Sequence, residues 1–140
     1  MKHVRVTAAV LRRGEYILLA RRSEQQSRPL LWEFPGGKVE DGEDDRSCLS
    51  RELQEELGIE ARIGEKLGLF PFSYPDISIE LAVYEAEIIR GEPHPREHHE
   101  LAWVTVDDLL SFRLAEADLP AAELLARVIP EQTGIEGEER

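Results

Sequence analysis

Three observations predict an α/β domain with a mixed sheet and helices layered against it. Strand-like apolar runs and helical stretches alternate irregularly along the chain, which suits a mixed sheet with helices layered on it. Leucines 49, 53 and 57 recur at four-residue spacing and mark an amphipathic helix over residues 44 to 57. The 140 residues are 41% apolar, enough for one domain to bury a core without staples.

His3 to Leu11, rich in valine and alanine, and Glu15 to Ala20, reading EYILLA, form a strand pair around an RRG turn. Residues 21–29, RRSEQQSRP, are polar and aperiodic, hence a loop. Residues 31–43, LWEFPGGKVEDGE, carry Pro35, Gly36, Gly37 and Gly42, too much punctuation for regular structure. The helix has Asp44 and Asp45 at its positive end and Gly58 as its stop. KLGLFPFSY and ISIELAVYEAEII read as strands split by a Pro-Asp turn, with Ile77, Ile79, Leu81 and Val83 on one face of the second. LAWVTV (101–106) is a further strand, and Thr105 with Asp108 resembles a capping box opening a brief helix. Asp118 with Pro120 opens a last helix to Val128, which Pro130 ends. One domain thus spans residues 1–130, followed by an acidic, frayed tail over 131–140.

With 17 basic and 29 acidic residues the net charge is −12. That argues against nucleic acid or an anionic membrane as a partner, since phosphate backbones are held by clustered Lys and Arg. Small phosphate ligands stay possible where a cation mediates. Cys48, the lone cysteine, excludes an internal disulfide, suits a reducing cytoplasm and reads as a small buried residue. The N-terminal apolar run is too short, and ended too soon by charge, for a signal peptide or membrane span. No feature of the sequence specifies an oligomeric state.

Residues 36–59, GGKVEDGEDDRSCLSRELQEELGI, set eight acidic side chains against three basic ones. Like charges repel on a helix, so the cluster needs a reason. At about 100° per residue, Glu52, Glu55 and Glu56 share an arc of roughly 100° beside the leucine stripe. Oxygen donors placed there suit a hard cation, Mg²⁺ or Mn²⁺, whose charge removes the repulsion. The plainer reading is a solvated acidic face. An EF-hand is excluded, because DGEDDRS lacks its alternating ligands and closing glutamate.

The spacing decides between these readings. Gly37, five residues, Glu43, seven residues, Arg51-Glu52, apolar Leu53, one residue, Glu55-Glu56, one residue, Gly58 and apolar Ile59 resembles the Nudix box of the Nudix hydrolases at every specified position. The stretches WEFPGGK and RELQEELGI look most like the MutT-type branch, and the wording also resembles the CTP pyrophosphohydrolase subgroup. The resemblance implies an α/β/α sandwich and metal-dependent hydrolysis of a nucleoside triphosphate to monophosphate and pyrophosphate. It implies Glu52, Glu55, Glu56 and the Gly36 carbonyl as metal ligands, with Glu43 and Arg51 tying loop to helix. Glu97 matches the position of an acidic loop residue near the metals, so Glu52 or Glu97 is the base and Glu100 the fallback. Lys38 and Arg22 are candidates for steadying phosphates. His94, His98 and His99 lack metal-site spacing and read as solvated loop residues.

In relatives that destroy 8-oxo-dGTP an asparagine on the last helix reads the purine; Glu123 stands at that position here. A carboxylate only accepts, which suits the amino group of cytosine. The expected substrate is therefore (d)CTP or a modified cytosine nucleotide, with 8-oxo-dGTP as the alternative. If Glu123 is surface decoration, the base is read elsewhere, near Val4, Val6 or Tyr74. A Nudix-fold binding module is the non-enzymatic alternative, disfavoured by the intact carboxylates.

Overall fold

The computed structural model describes residues 2–127. Seven strands make one mixed sheet: β1 (Lys2–Arg13), β2 (Tyr16–Arg21), β3 (Trp32–Glu33), β4 (Gly36–Lys38), β5 (Glu60–Ser73), β6 (Ile77–Arg90) and β7 (Glu100–Thr105). β1 is the hub. Its first ten residues run parallel to β6, its middle pairs antiparallel with β4, and its end pairs antiparallel with β2. β2 carries β3 and β7, while β5 and β6 form a long antiparallel pair. A parallel neighbour needs a long crossover, and everything from β2 to β5 supplies it.

Helix α1 (Asp45–Leu57) packs on one face and α2 (Val106–Leu109) on the other, where it is joined by α3, helical over 119–127. Alternation along the strands assigns the faces. Ala9, Leu11 and Leu18 cluster with Leu49, Leu53 and Leu57 of α1. Ala8, Val10, Ile17 and Leu19 cluster with Leu109, Ala122 and Leu125. The expected α/β/α sandwich is what the chain builds. Each α1 leucine is fully buried, a contribution of about 1.5–3 kcal/mol apiece.

Three details depart from the sequence reading. The glycine-rich segment contains β3, paired with β2, and β4, where Gly36 lies so close to Ala8 of β1 that a Cβ would run into the Thr7 carbonyl. β5 begins at Glu60, well before residue 66; register shifts around Ile63, Lys66 and Gly68 break the alternation that would have revealed it. Asp118 sits in a 3₁₀ turn (Glu116–Asp118) ahead of α3, and its side chain does not cap that helix. Val128, Pro130 and the expected tail at 131–140 lie outside the described residues. No described helix is long and apolar enough to cross a membrane.

Candidate active site

Helix α1 starts where Asp44 accepts the Ser47 amide at 2.7 Å. Two and three turns further on stand the box residues, organised by Arg51. Its Nε and Nη2 donate to the two oxygens of Glu43 at 2.6 and 3.0 Å. Nη1 reaches Glu52 and Glu55, both at 3.1 Å, and Nη2 the Lys38 carbonyl at 3.4 Å. Hydrogen bonds from Arg51 hold the Glu43 carboxyl down to about 2. A single guanidinium therefore fastens the loop from β4 to the helix.

Glu52 and Glu56 converge, and Glu55 does not. The Glu52 carboxyl lies against Gly37, at a distance no Cβ there would permit. Glu56 is largely enclosed, and burial, then the charge of Glu52, pushes it up to about 9. Its Oε1 is buried with no hydrogen-bond partner. Glu55 is half exposed and leans on Arg51. Among the described residues no three donors stand preassembled as a metal cluster. Hard carboxyl oxygens, one of them orphaned and costly to ionise alone, fit a divalent cation as the missing partner.

Gly58 ends α1 with φ 71°, a left-handed value that favours glycine, and its amide bonds the Gln54 carbonyl. The loop from β6 to β7 completes this end. His94 N donates to Leu57 O at 3.0 Å, Arg96 N to Glu56 O at 3.2 Å, and Arg96 Nη1 to Gln54 O at 3.2 Å. These bonds satisfy carbonyls a helix leaves open. They also bring Glu97 close enough for its charge to add to the upward shift of Glu56.

A cavity of about 340 Å³ runs from Glu56 along the β1–β6 face. Val4, Val6, Ile79 and Leu81 form an apolar floor, and Tyr74 and Phe34 the sides. Asp118 and Glu33 bring carboxyl groups into the wall. Asp118 is 6% exposed and accepts the Phe34 amide at 2.9 Å; burial, then the Glu33 charge, pushes it up to about 8. Glu33 accepts from Arg22 Nη1 at 2.8 Å and lies 3.1 Å from His98 Nε2.

The predicted site is thus partly assembled. Gly36, Gly37, Arg22 and Lys38 line the cavity with Glu56, but Arg22 spends its donors on Glu33 and Ser27. Glu123 is exposed on α3 and off the cavity wall, so the structure does not bring it to the base end. Its helix turns Ala121, Ala122 and Leu125 inward, which sends position 123 outward. Glu100 pairs with Arg21 at 2.8 Å, away from the cavity. His98 is not solvated: its side chain is 2% exposed. The sequence reading missed Glu33 and Asp118. Glu33 had a signal, a lone charge between Trp32 and Phe34; Asp118 was hidden behind its look of a helix cap.

The NUDIX domain family matches residues 1–128. The CTP pyrophosphohydrolase of Escherichia coli (strain K12) is 41% identical over 88% of this chain and 91% of its own. The 8-oxo-dGTP diphosphatase of Haemophilus influenzae is 37% identical over 93% of this chain and 94% of its own. In structure, the MutT protein of Methanosarcina mazei Go1 superposes with a TM-score of 0.82 at 26% identity, over 90% of this chain and 94% of that one. The chain belongs to the Nudix family of hydrolases, a family that works with divalent metal.

Proposed function

We propose that the protein hydrolyses nucleoside triphosphates to the monophosphate and pyrophosphate, with Mg²⁺ as working cation and Mn²⁺ able to replace it. Cytosine nucleotides are the preferred substrates. One observation carries this reading: the cavity joins the buried Glu56 carboxyl, at one end, to a wall containing Glu33 and Asp118. Polyphosphate belongs where cation ligands gather, and the base where acceptors line an apolar cleft.

Glu52, Glu56, Glu97 and the Gly36 carbonyl would hold the cation, and Glu55 would join them only by leaving Arg51. When bound, the cation lowers the pKa of a water and neutralises phosphate charge. Glu52, packed on Gly37 and bonded by Arg51, serves as ligand. Glu97, exposed and near enough for its charge to act on Glu56, is the residue to take the proton of the attacking water. Lys38, exposed beside the glycines, offers its ammonium to the phosphates. Arg22 acts on the base end instead, through Glu33.

Asp118 and Glu33 take the part expected of Glu123. The Glu33 oxygens, joined by Asp118 through an acceptor oxygen, receive an exocyclic amino group, as on cytosine. A buried acceptor left unpaired costs about 1–3 kcal/mol, so uracil and thymine nucleotides should trail by about tenfold or more. Guanine also carries an amino group, and the Haemophilus influenzae relative is an 8-oxo-dGTP diphosphatase; that substrate is the second reading. The lone, buried Cys48 agrees with a cytoplasmic setting. Steady-state turnover of dCTP, dUTP and 8-oxo-dGTP with Mg²⁺ tests the proposal. Absence of turnover on all three would leave a binding module, and dUTP ahead of dCTP would contradict the base assignment.

A further inference from the structure

His98 belongs to the exposed loop between β6 and β7, and both its neighbours, Glu97 and His99, face solvent. Its own side chain turns inward and is 2% exposed. A polar ring taken out of water must find a partner, and Nε2 finds Glu33 Oε2 at 3.1 Å. The other oxygen of Glu33 is held by Arg22 Nη1 at 2.8 Å. Two loops far apart in sequence thus grip one carboxylate, one oxygen each.

Glu33 needs such a grip. Asp118 and Glu56 are both near enough for its charge to push their carboxyl groups upward. Like charges on one wall separate unless donors hold them, and a glutamate has rotamers through which to swing away. Arg22 alone fixes a single oxygen and leaves the plane of the carboxylate free to turn.

We propose that His98 is a positioning residue for base selection: its Nε2–H fixes the Glu33 carboxylate in the cavity wall, and so sets the preference for bases bearing an exocyclic amino group. The inference rests on the reading of the cavity given above. His98 touches neither base nor phosphate in this role. It links the loop that carries Glu97 to the cavity wall at Glu33.

Two substitutions separate reach from polarity. In His98→Gln the side-chain amide nitrogen takes nearly the place of Nε2, whereas in His98→Asn it stops short of Glu33. The ratio of kcat/KM for dCTP over dUTP should fall about tenfold in His98→Asn, mainly through a higher KM for dCTP, and stay within about twofold of wild type in His98→Gln. In a Glu33→Gln background the Asn change should alter the ratio no further. Equal losses on both nucleotides, or the same loss without the Glu33 carboxylate, would overturn the inference. A wild type indifferent to the base would overturn the cavity reading and this inference with it; a selective wild type whose selectivity survives in His98→Asn would overturn this inference alone. A readout that leaves residue 98 unchanged is the His98 ¹⁵Nε2 resonance, which should shift in Glu33→Gln; an unmoved resonance would refute the contact.

Discussion

The buried Glu56 carboxyl ties the stability of the fold to pH. Its carboxyl is ordinarily half-ionised near 4.5, and burial pushes it up to about 9. The unfolded chain gives up that proton near the lower value, the folded chain only near the higher. Between them the folded state holds the extra proton, so stability is greatest below 4.5 and declines as pH rises towards 9. Asp118, raised from 3.8 to about 8, acts in the same direction. Thermal melts in EDTA at about pH 5, 7 and 9 should show Tm falling in wild type and falling less in Glu56→Gln, which needs no proton. Parallel slopes would mean that another group titrates. At about pH 9, where Asp118 is ionised, Asp118→Asn exchanges one acceptor oxygen for a donor and should cut the dCTP preference over dUTP by about tenfold. An unchanged ratio would remove Asp118 from base recognition. The box carboxylates were legible because spacing alone identifies them. Glu33, His98 and Asp118 were not, since they meet from three segments with no shared period, and only the folded chain brings them together.

Helix α1 is positioned by its two ends and its buried stripe. Leu53 is fully buried between β strands and the turn that carries Glu52 and Glu56. Leu53→Ala should cost about 2–5 kcal/mol in urea unfolding, the range for buried leucine truncations; a loss below that range would mean the face is loosely packed. At the C-terminal end Gly58 needs φ 71°, and the space where a Cβ would go is filled by the Arg96 guanidinium. Gly58→Ala should destabilise the fold by about 1 kcal/mol from backbone strain. It should also lower kcat beyond that, by displacing the loop that carries Glu97. Normal turnover in a destabilised Gly58→Ala would show that the loop's docking does not matter to the reaction. The leucine stripe and both caps of α1 were readable from the sequence; the bulged start of β5 and the short strands β3 and β4 were not. Propensity says nothing of a strand made by close backbone approach at Gly36 and Gly37, and bulges erase the alternation that betrays one.

The whole molecule carries a net charge of −12, yet its substrate class is polyanionic. A bound cation would reconcile the two. Binding to the folded state alone raises stability, by about 2.7 kcal/mol at a hundredfold excess over Kd. Millimolar Mg²⁺ should therefore raise Tm at pH 8 in wild type, and less in Glu56→Gln. The charge balance and the box together made the need for a metal legible in the sequence; the cavity proposed to take the base emerged only from the packing of Tyr74, Phe34 and Asp118 over the β1–β6 face. The most direct measurement is the product of dCTP turnover, followed by ³¹P NMR with Mg²⁺ and again with EDTA. The account predicts dCMP and pyrophosphate, formed only with the metal. Inorganic phosphate as first product, or undiminished turnover in EDTA, would contradict it.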